Sequence, residues 1–249
     1  MKKFVMAVYG TVAYAVFLVS FVYAIGFVGN LFFDKTIDSG QTGDLWISFT
    51  INGLLLGLFA IQHSLMARPR FKTWFTKLVP AAIERSTYVL LSSLALLLLY
   101  WQWRPIPDPV WDLENNFLQY LILVIYFLGW AIVLLSSFMI NHFKLFGLEQ
   151  VFFYIRDIPA RVPKFKSNFF YGLVRHPIML GFIIAFWATP TMSIGHLFFA
   201  IMTTAYIYIA VKYLEEKDLR NTLGEKYAEY QTKVPMLFPS TKKSGSKMK

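Results

Sequence analysis

The chain has 249 residues, of which 57% are hydrophobic, 18% aromatic and only 15% charged. A soluble domain carries about 25% charged residues and disordered chains are poor in aromatics, so both classes are excluded and a bilayer is the expected solvent. The absence of cysteine rules out disulfides, thiolate metal sites and cysteine nucleophiles, and the net charge of +10 is distributed to report topology, not nucleic-acid binding.

Six apolar segments follow one another, at about Phe4–Phe33, Leu45–Met66, Thr87–Trp103, Phe117–Phe143, Ile178–Thr189 and Ile194–Leu214. A helix needs about 20 residues to cross a hydrocarbon core. The first run is too long for a signal peptide and lacks a cleavage site, so it is read as a retained span. The fifth, held between Pro177 and Pro190, covers only about 18 Å and is a candidate half-span. The expected fold is therefore an all-α polytopic membrane bundle of five to six segments, ending in a helical hairpin.

Charge sets the orientation. Connections 34–44 and 104–114 are acidic, with Asp34, Asp38, Asp44, Asp108, Asp112 and Glu114. Connections 68–85 and 144–175 are basic, with Arg68, Arg70, Lys72, Lys77, Arg85, Lys144, Arg156, Arg161, Lys164, Lys166 and Arg175. The positive-inside rule then places both termini and the basic connections in the cytosol, with the inner membrane of a bacterium as the expected location. Residues 68–85 read as an interfacial amphipathic helix, and Trp101, Trp103 and Trp111 as an outer aromatic belt. Pro159, Pro163, Lys164 and Lys166 suggest an irregular arm over the membrane surface. The organisation expected is a four-span bundle over 1–143, a core over 144–239 and a basic tail from Ser240 to Lys249.

Polar groups converge at one depth. Gln62, His63 and Ser64 end the second segment, Asn141 and His142 the fourth, and Arg175 and His176 open the hairpin that Glu215 and Glu216 close. Such groups are costly in a bilayer and usually face a cavity or one another. Each also has a plain reading as an interhelical link, a snorkelling cation or a solvated helix end. Pro177 suits a first helical position with His176 as its cap, and Gly181 one turn on admits close backbone approach. His196, on the opposite side, reads as structural.

Arg175-His176-Pro177-x-x-x-Gly181 is followed by Glu215-Glu216-x-x-Leu219, then Gly224-x-x-Tyr227-x-x-Tyr230 and Val234-Pro235. This order resembles the membrane methyltransferases of the isoprenylcysteine carboxyl methyltransferase and phospholipid methyltransferase superfamily. Gln62-His63-Ser64, Met66-Ala67-Arg68-Pro69, Glu84-Arg85-Ser86-Thr87-Tyr88, Trp101-Gln102-Trp103-Arg104-Pro105, Ile140-Asn141-His142-Phe143 and Phe186-Trp187-Ala188-Thr189-Pro190 extend the resemblance, along the whole chain, to the methanethiol S-methyltransferase family. The resemblance implies methyl transfer from S-adenosylmethionine to methanethiol, giving dimethyl sulfide. It implies that Tyr171, His176, Pro177, Ile178, Met179 and Glu215 line the cofactor pocket, with Gln150 a further cofactor contact. Val211 stands where prenylcysteine enzymes place a substrate-binding Arg, which favours a small uncharged thiol entering from the bilayer.

A thiol near pKa 8.5 calls for a base at neutral pH, and histidine is the natural one. The expected assignment is His142 oriented by Asn141, Arg175 stabilising developing negative charge, and His63 as the second candidate base. No metal is expected. Other readings on the same scaffold are methylation of another thiol or a lipid amine, or a non-catalytic NnrU-like accessory role. A transporter fits poorly, since the polar groups gather at one face and not the midplane.

Overall fold

The structure is a computed structural model that describes residues 1–159 and 167–239. Arg161, Pro163, Lys164 and Lys166 of the expected arm, and the tail from Ser240, lie outside the described residues. Among the described residues, five helices are long and apolar enough to cross a membrane: α1 (Lys2–Gly29), α2 (Leu45–Ala67), α4 (Ala81–Gln102), α5 (Asn116–Ile140) and a continuous helical stretch over Ile194–Leu223. The last is made of α10 (Ile194–Ile209), a π turn over Ala210–Glu215 and α11 (Glu216–Leu223). Shorter helices are α3 (Pro69–Phe75), α6 (His142–Leu145), α7 (Leu148–Ile155), α8 (Phe170–Leu173), α9 (Pro177–Trp187) and α12 (Glu225–Lys233).

Local chemistry sets the ends. Asp44, Asn115 and Ser193 each accept from a backbone N–H three residues on, capping α2, α5 and α10. Of the stretch 68–85, only Pro69–Phe75 forms α3, and Pro80 starts α4 at Ala81. The third span is thus longer than its apolar run. Its polar first turns are held from outside: Arg85 donates to Leu145 O at 2.8 Å and lies over the Tyr88 ring.

Large apolar side chains point outward, with Val19 59%, Leu54 69% and Phe138 53% exposed. That arrangement suits lipid, not water. The core gathers Phe27, Ile37, Leu99, Trp103, Tyr126, Trp130 and Phe199. Trp103 is therefore no part of a belt; its Nε1 donates to Ile37 O at 3.1 Å inside the core. Trp101 is 72% exposed.

α9 is 11 residues long, about 16 Å, too short to cross alone. It packs along α5, where Gly129 and Gly181 meet: a Cβ on Gly181 would lie 2.7 Å from Gly129 O. The return is completed by extended chain in which β2 (Thr191–Ser193) pairs antiparallel with β1 (Pro109–Asp112). This ladder was not legible in sequence because three or four residues carry no readable alternation.

β1 and β2 belong to an end stitched from the acidic connections. Lys35 Nζ donates to Trp103 O at 2.8 Å, Asn52 and Arg104 exchange hydrogen bonds, and Ile194 N reaches Asp108 O at 2.9 Å. At the opposite end Lys3 pairs with Asp157 at 2.6 Å and Arg68 with Asp218 at 2.8 Å. The described parts of the basic connections, the N-terminus and the C-terminal clasp up to Pro239 gather there.

Candidate active site

Pro177 occupies the first helical position of α9 and His176 its cap position, but the His176 side chain makes no capping bond. Backbone pairing holds the start instead: Arg175 N donates to Pro235 O at 2.9 Å and His176 N to Met236 O at 3.1 Å. Leu237 then packs on Ile183, Ile207 and Val211. The tail motif is thus a clasp that closes over the hairpin.

The imidazole turns toward the two glutamates at the end of the π turn. Such turns recur at functional sites because one extra residue re-aims the side chains that follow. Glu216, its side chain 8% exposed, accepts from Arg175 Nε at 2.9 Å, His176 Nε2 at 2.6 Å, Tyr227 Oη at 2.9 Å and Gln231 Nε2. Arg175 also donates to Gln231 O at 3.0 Å and Val234 O at 2.7 Å. Its Nε and Nη1 thus serve Glu216 and the clasp.

Glu215 is different. Its described contact with the cluster is His176 Nδ1 at 3.5 Å, and its side chain remains 44% exposed. Burial pushes the His176 pKa down, but hydrogen bonds and charge from both glutamates outweigh it and hold it up at about 9. His176 is therefore an imidazolium at neutral pH.

Of the expected cofactor residues, Tyr171, Ile178 and Met179 lie beside this pair, whereas Gln150 lies on another helix. Tyr171 is buried, its hydroxyl 3.4 Å from Ser136 O and its carbonyl accepting from Tyr230 Oη. Burial, followed by the Glu215 charge, raises its pKa. Ile178 and Met179 occupy the first turn of α9, with Met179 against the Ile183–Val211–Leu237 cluster. Gln150 lies on α7, donating to Lys144 O at 3.1 Å, and its buried Oε1 has no partner among the described residues.

His63 reaches the cluster from α2. The Tyr88 hydroxyl lies 2.9 and 3.0 Å from its ring nitrogens, Ser92 Oγ is 3.3 Å from Nδ1, and Phe59 stacks on the ring at 5.1 Å. Ser64 bonds Tyr206 at 3.0 Å. The Glu215 charge acts on His63, Tyr88, Tyr171 and Tyr206. Four elements therefore share one neighbourhood. Tyr206 and Ser92 were missed in the sequence because hydroxyls within apolar helices carry no motif, and Tyr88, though part of the Glu84–Tyr88 motif, was given no role there.

His142 sits elsewhere. It is 3% exposed, stacked on Phe138 at 4.2 Å with Phe146 at 4.7 Å. Ser137 Oγ donates to Leu134 O at 2.6 Å, so it accepts from His142 Nδ1–H at 2.8 Å. The Nε2 lone pair then accepts from Tyr14 Oη at 2.7 Å. Burial lowers the His142 pKa, so the ring is neutral. Ser137 and Tyr14, not Asn141, orient it. Asn141 caps α6 through Lys144 N at 3.1 Å and donates to Glu149. Among the described residues, no contact joins His142 to Arg175, His176 or Glu215. His196 is enclosed in the core, 3.0 Å from Phe186 O.

Comparison with known proteins places this geometry in a family. The family model described as NnrU protein matches residues 53–238. A methanethiol S-methyltransferase of Mycobacterium tuberculosis is 51% identical over 96% of this chain and 98% of its own length. One from Crocosphaera subtropica is 49% identical over 96% of this chain and 92% of its own. Human Nurim is 31% identical over 68% of this chain and 66% of its own. No solved structure matches. The chain belongs to the NnrU protein family, and to the family of these methanethiol S-methyltransferases.

Proposed function

We propose that this chain methylates methanethiol to dimethyl sulfide with S-adenosylmethionine as the donor. The observation that carries this reading is Glu215, whose side chain stays 44% exposed although His176, His63, Tyr88, Tyr171 and Tyr206 feel its charge. Charges within a protein are normally paired, so a carboxylate left open in this ring is a seat for a cationic ligand. The donor set fits the amino-acid end of S-adenosylmethionine. Glu215 takes the ammonium or the ribose hydroxyls, and His176 Nδ1–H takes the carboxylate. Their separation of 3.5 Å leaves bonding capacity on both.

Tyr171, Pro177, Ile178 and Met179 wall the pocket, and the free Gln150 Oε1 offers a further acceptor. When bound, S-adenosylmethionine supplies a methyl group on a sulfonium, open to in-line displacement by a thiolate.

This chain's part is to hold the thiol and remove its proton. His63 is the better-placed base. It shares the Glu215 neighbourhood, and Tyr88 offers the proton an onward path. His142, held by Ser137 and Tyr14 and joined by no described contact to Glu215, positions the α5–α6 corner against Tyr14 of α1. Arg175 fixes Glu216 and the clasp and does not act on the thiolate. Phe59 and Tyr206 border His63, and Val211, buried among Ile183, Ile207 and Leu237, offers no charge to a substrate carboxylate. A small apolar thiol arriving through the bilayer suits such walls.

The positive-inside rule puts this end of the bundle in the cytosol, in a bacterial inner membrane, where a soluble cofactor has access. Residues 144–239 act as the methyltransferase core on the four-span bundle 1–143. The test is headspace gas chromatography after supplying purified protein with methanethiol and S-adenosylmethionine. Dimethyl sulfide is the expected product; its absence from protein that binds the cofactor overturns the substrate assignment, and absence of cofactor binding overturns the pocket.

A further inference from the structure

At the acidic end of the bundle, Lys35 and Arg104 face a cavity of about 110 Å³ bordered by Gln41, Trp101 and Pro105. Lys35 Nζ donates to Trp103 O at 2.8 Å and Ser39 O at 3.1 Å, leaving one N–H free. The Arg104 side chain has no hydrogen-bond or ion-pair partner among the described residues, and neither cation has a carboxylate within 4.0 Å there. Burial, then the nearby Arg104 charge, lowers the Lys35 pKa. Two cations thus repel across one hollow.

A second hollow of about 340 Å³ is apolar and lined by Leu18, Val19, Val22, Tyr23 and Phe33. The two are linked through Tyr23. Tyr23 Oη donates to Lys35 O at 2.9 Å, and Phe33 stacks on Tyr23 at 4.6 Å. Val19 and Val22 are more than half exposed on the lipid face of α1, and Trp101 is 72% exposed beside the cations. An exposed tryptophan beside cations is the signature of the headgroup level. From Tyr23 to Leu18 the hollow runs about 7 Å along α1 toward the bilayer interior.

We propose that this corner binds an anionic glycerophospholipid, with its phosphodiester between Lys35 and Arg104 and the upper part of one acyl chain in the α1 hollow. A cationic pocket alone would take any anion, and an apolar hollow alone any lipid. Their junction at Tyr23, Phe33 and Lys35 selects a molecule with both parts.

The test is native mass spectrometry of the full chain in detergent, exchanged with phosphatidylglycerol, with phosphatidylcholine, or with phosphatidylglycerol plus inorganic phosphate. Wild type is expected to retain phosphatidylglycerol about tenfold better than phosphatidylcholine, and not to lose it to phosphate. Lys35 also supports its loop through two carbonyls, so charge is removed at Arg104. Arg104→Gln should reduce retention about tenfold, the scale of one charge-assisted hydrogen bond. Val22→Trp should fill the hollow and reduce retention with both cations intact. Thermal melting confirms that each variant is folded. Equal retention of the two lipids, displacement by inorganic phosphate, or wild-type retention in both folded variants overturns the proposal.

Discussion

Replacing Glu216 by Gln tests the electrostatic reading of the site most directly. The carboxylate accepts from Arg175, His176, Tyr227 and Gln231 with its side chain 8% exposed. The amide keeps the shape but removes the charge and turns one acceptor into a donor facing other donors. The cost follows from His176, whose pKa is held at about 9 against an ordinary 6.5. That gap corresponds to roughly 3 kcal/mol at about 1.36 kcal/mol per pH unit, to which Glu215 and Glu216 both contribute. Removing one partner of a buried ion pair costs about 3–5 kcal/mol by a separate route, so we expect Glu216→Gln to destabilise by about 3 kcal/mol. The pH dependence has a definite sign. A pKa raised in the folded state stabilises fully below the unfolded value of 6.5, and that contribution is lost as pH rises toward 9. Wild-type melting temperature in detergent should therefore fall between pH 6.5 and 9, and Glu216→Gln should flatten that slope. With only four histidines in the chain, imidazole NMR can follow His176 itself, expected to drop well below 9 in the variant. A loss under 1 kcal/mol, or a wild-type His176 titrating near 6.5, would refute this account.

Glu215→Ala should cost less stability than Glu216→Gln, since this side chain is half open, while S-adenosylmethionine affinity falls at least tenfold by calorimetry; unchanged affinity removes Glu215 from the pocket. His63→Ala should slow dimethyl sulfide formation by about 10²–10⁴-fold, with rescue as pH rises and the free thiolate accumulates. His142→Ala should lower stability but retain pH-dependent turnover; the reverse pattern in these two variants would restore His142 as the base. Gly181→Ala places a Cβ 2.7 Å from Gly129 O and should cost about 2–3 kcal/mol of thermal stability by forcing α5 and α9 apart. A neutral melting curve there would mean the helices have room to shift.

The spans and the alternation of charge at their ends were legible because both rest on composition over long windows. The meeting of His176 with Glu215 and Glu216 was legible because the apolar hairpin between them has a fixed length. What stayed hidden depends on one residue more or less. The π turn at Ala210–Glu215 has no composition of its own, yet it decides which glutamate faces the clasp. Trp103 falls one residue beyond α4, where the chain turns inward and carries it into the core. Tyr14 lies on α1, 128 residues from His142, and nothing local announces that partnership. Asn141 looked like an orienting neighbour because adjacency is visible in sequence, whereas its side chain caps α6 and donates to Glu149 instead.

Two adjacent glutamates take different parts because their surroundings differ, and the division has a consequence for the ligand. Arg175 and a protonated His176 bring two positive charges to the start of α9, and Glu215 and Glu216 bring two negative ones. The set is neutral, which a site beside the hydrocarbon core requires. Glu216 takes Arg175 Nε and the nearer nitrogen of His176, so the hold on the Glu215 carboxylate is the longer 3.5 Å contact to His176 Nδ1. A zwitterion such as the amino-acid end of the proposed donor adds an ammonium and a carboxylate together. Those charges meet Glu215 and His176 Nδ1 without leaving a net charge buried. A substrate or donor end with a single charge would unbalance the set by one, at a cost of several kcal/mol. Glu216, which touches no ligand in this scheme, thereby helps set which ligand Glu215 can hold.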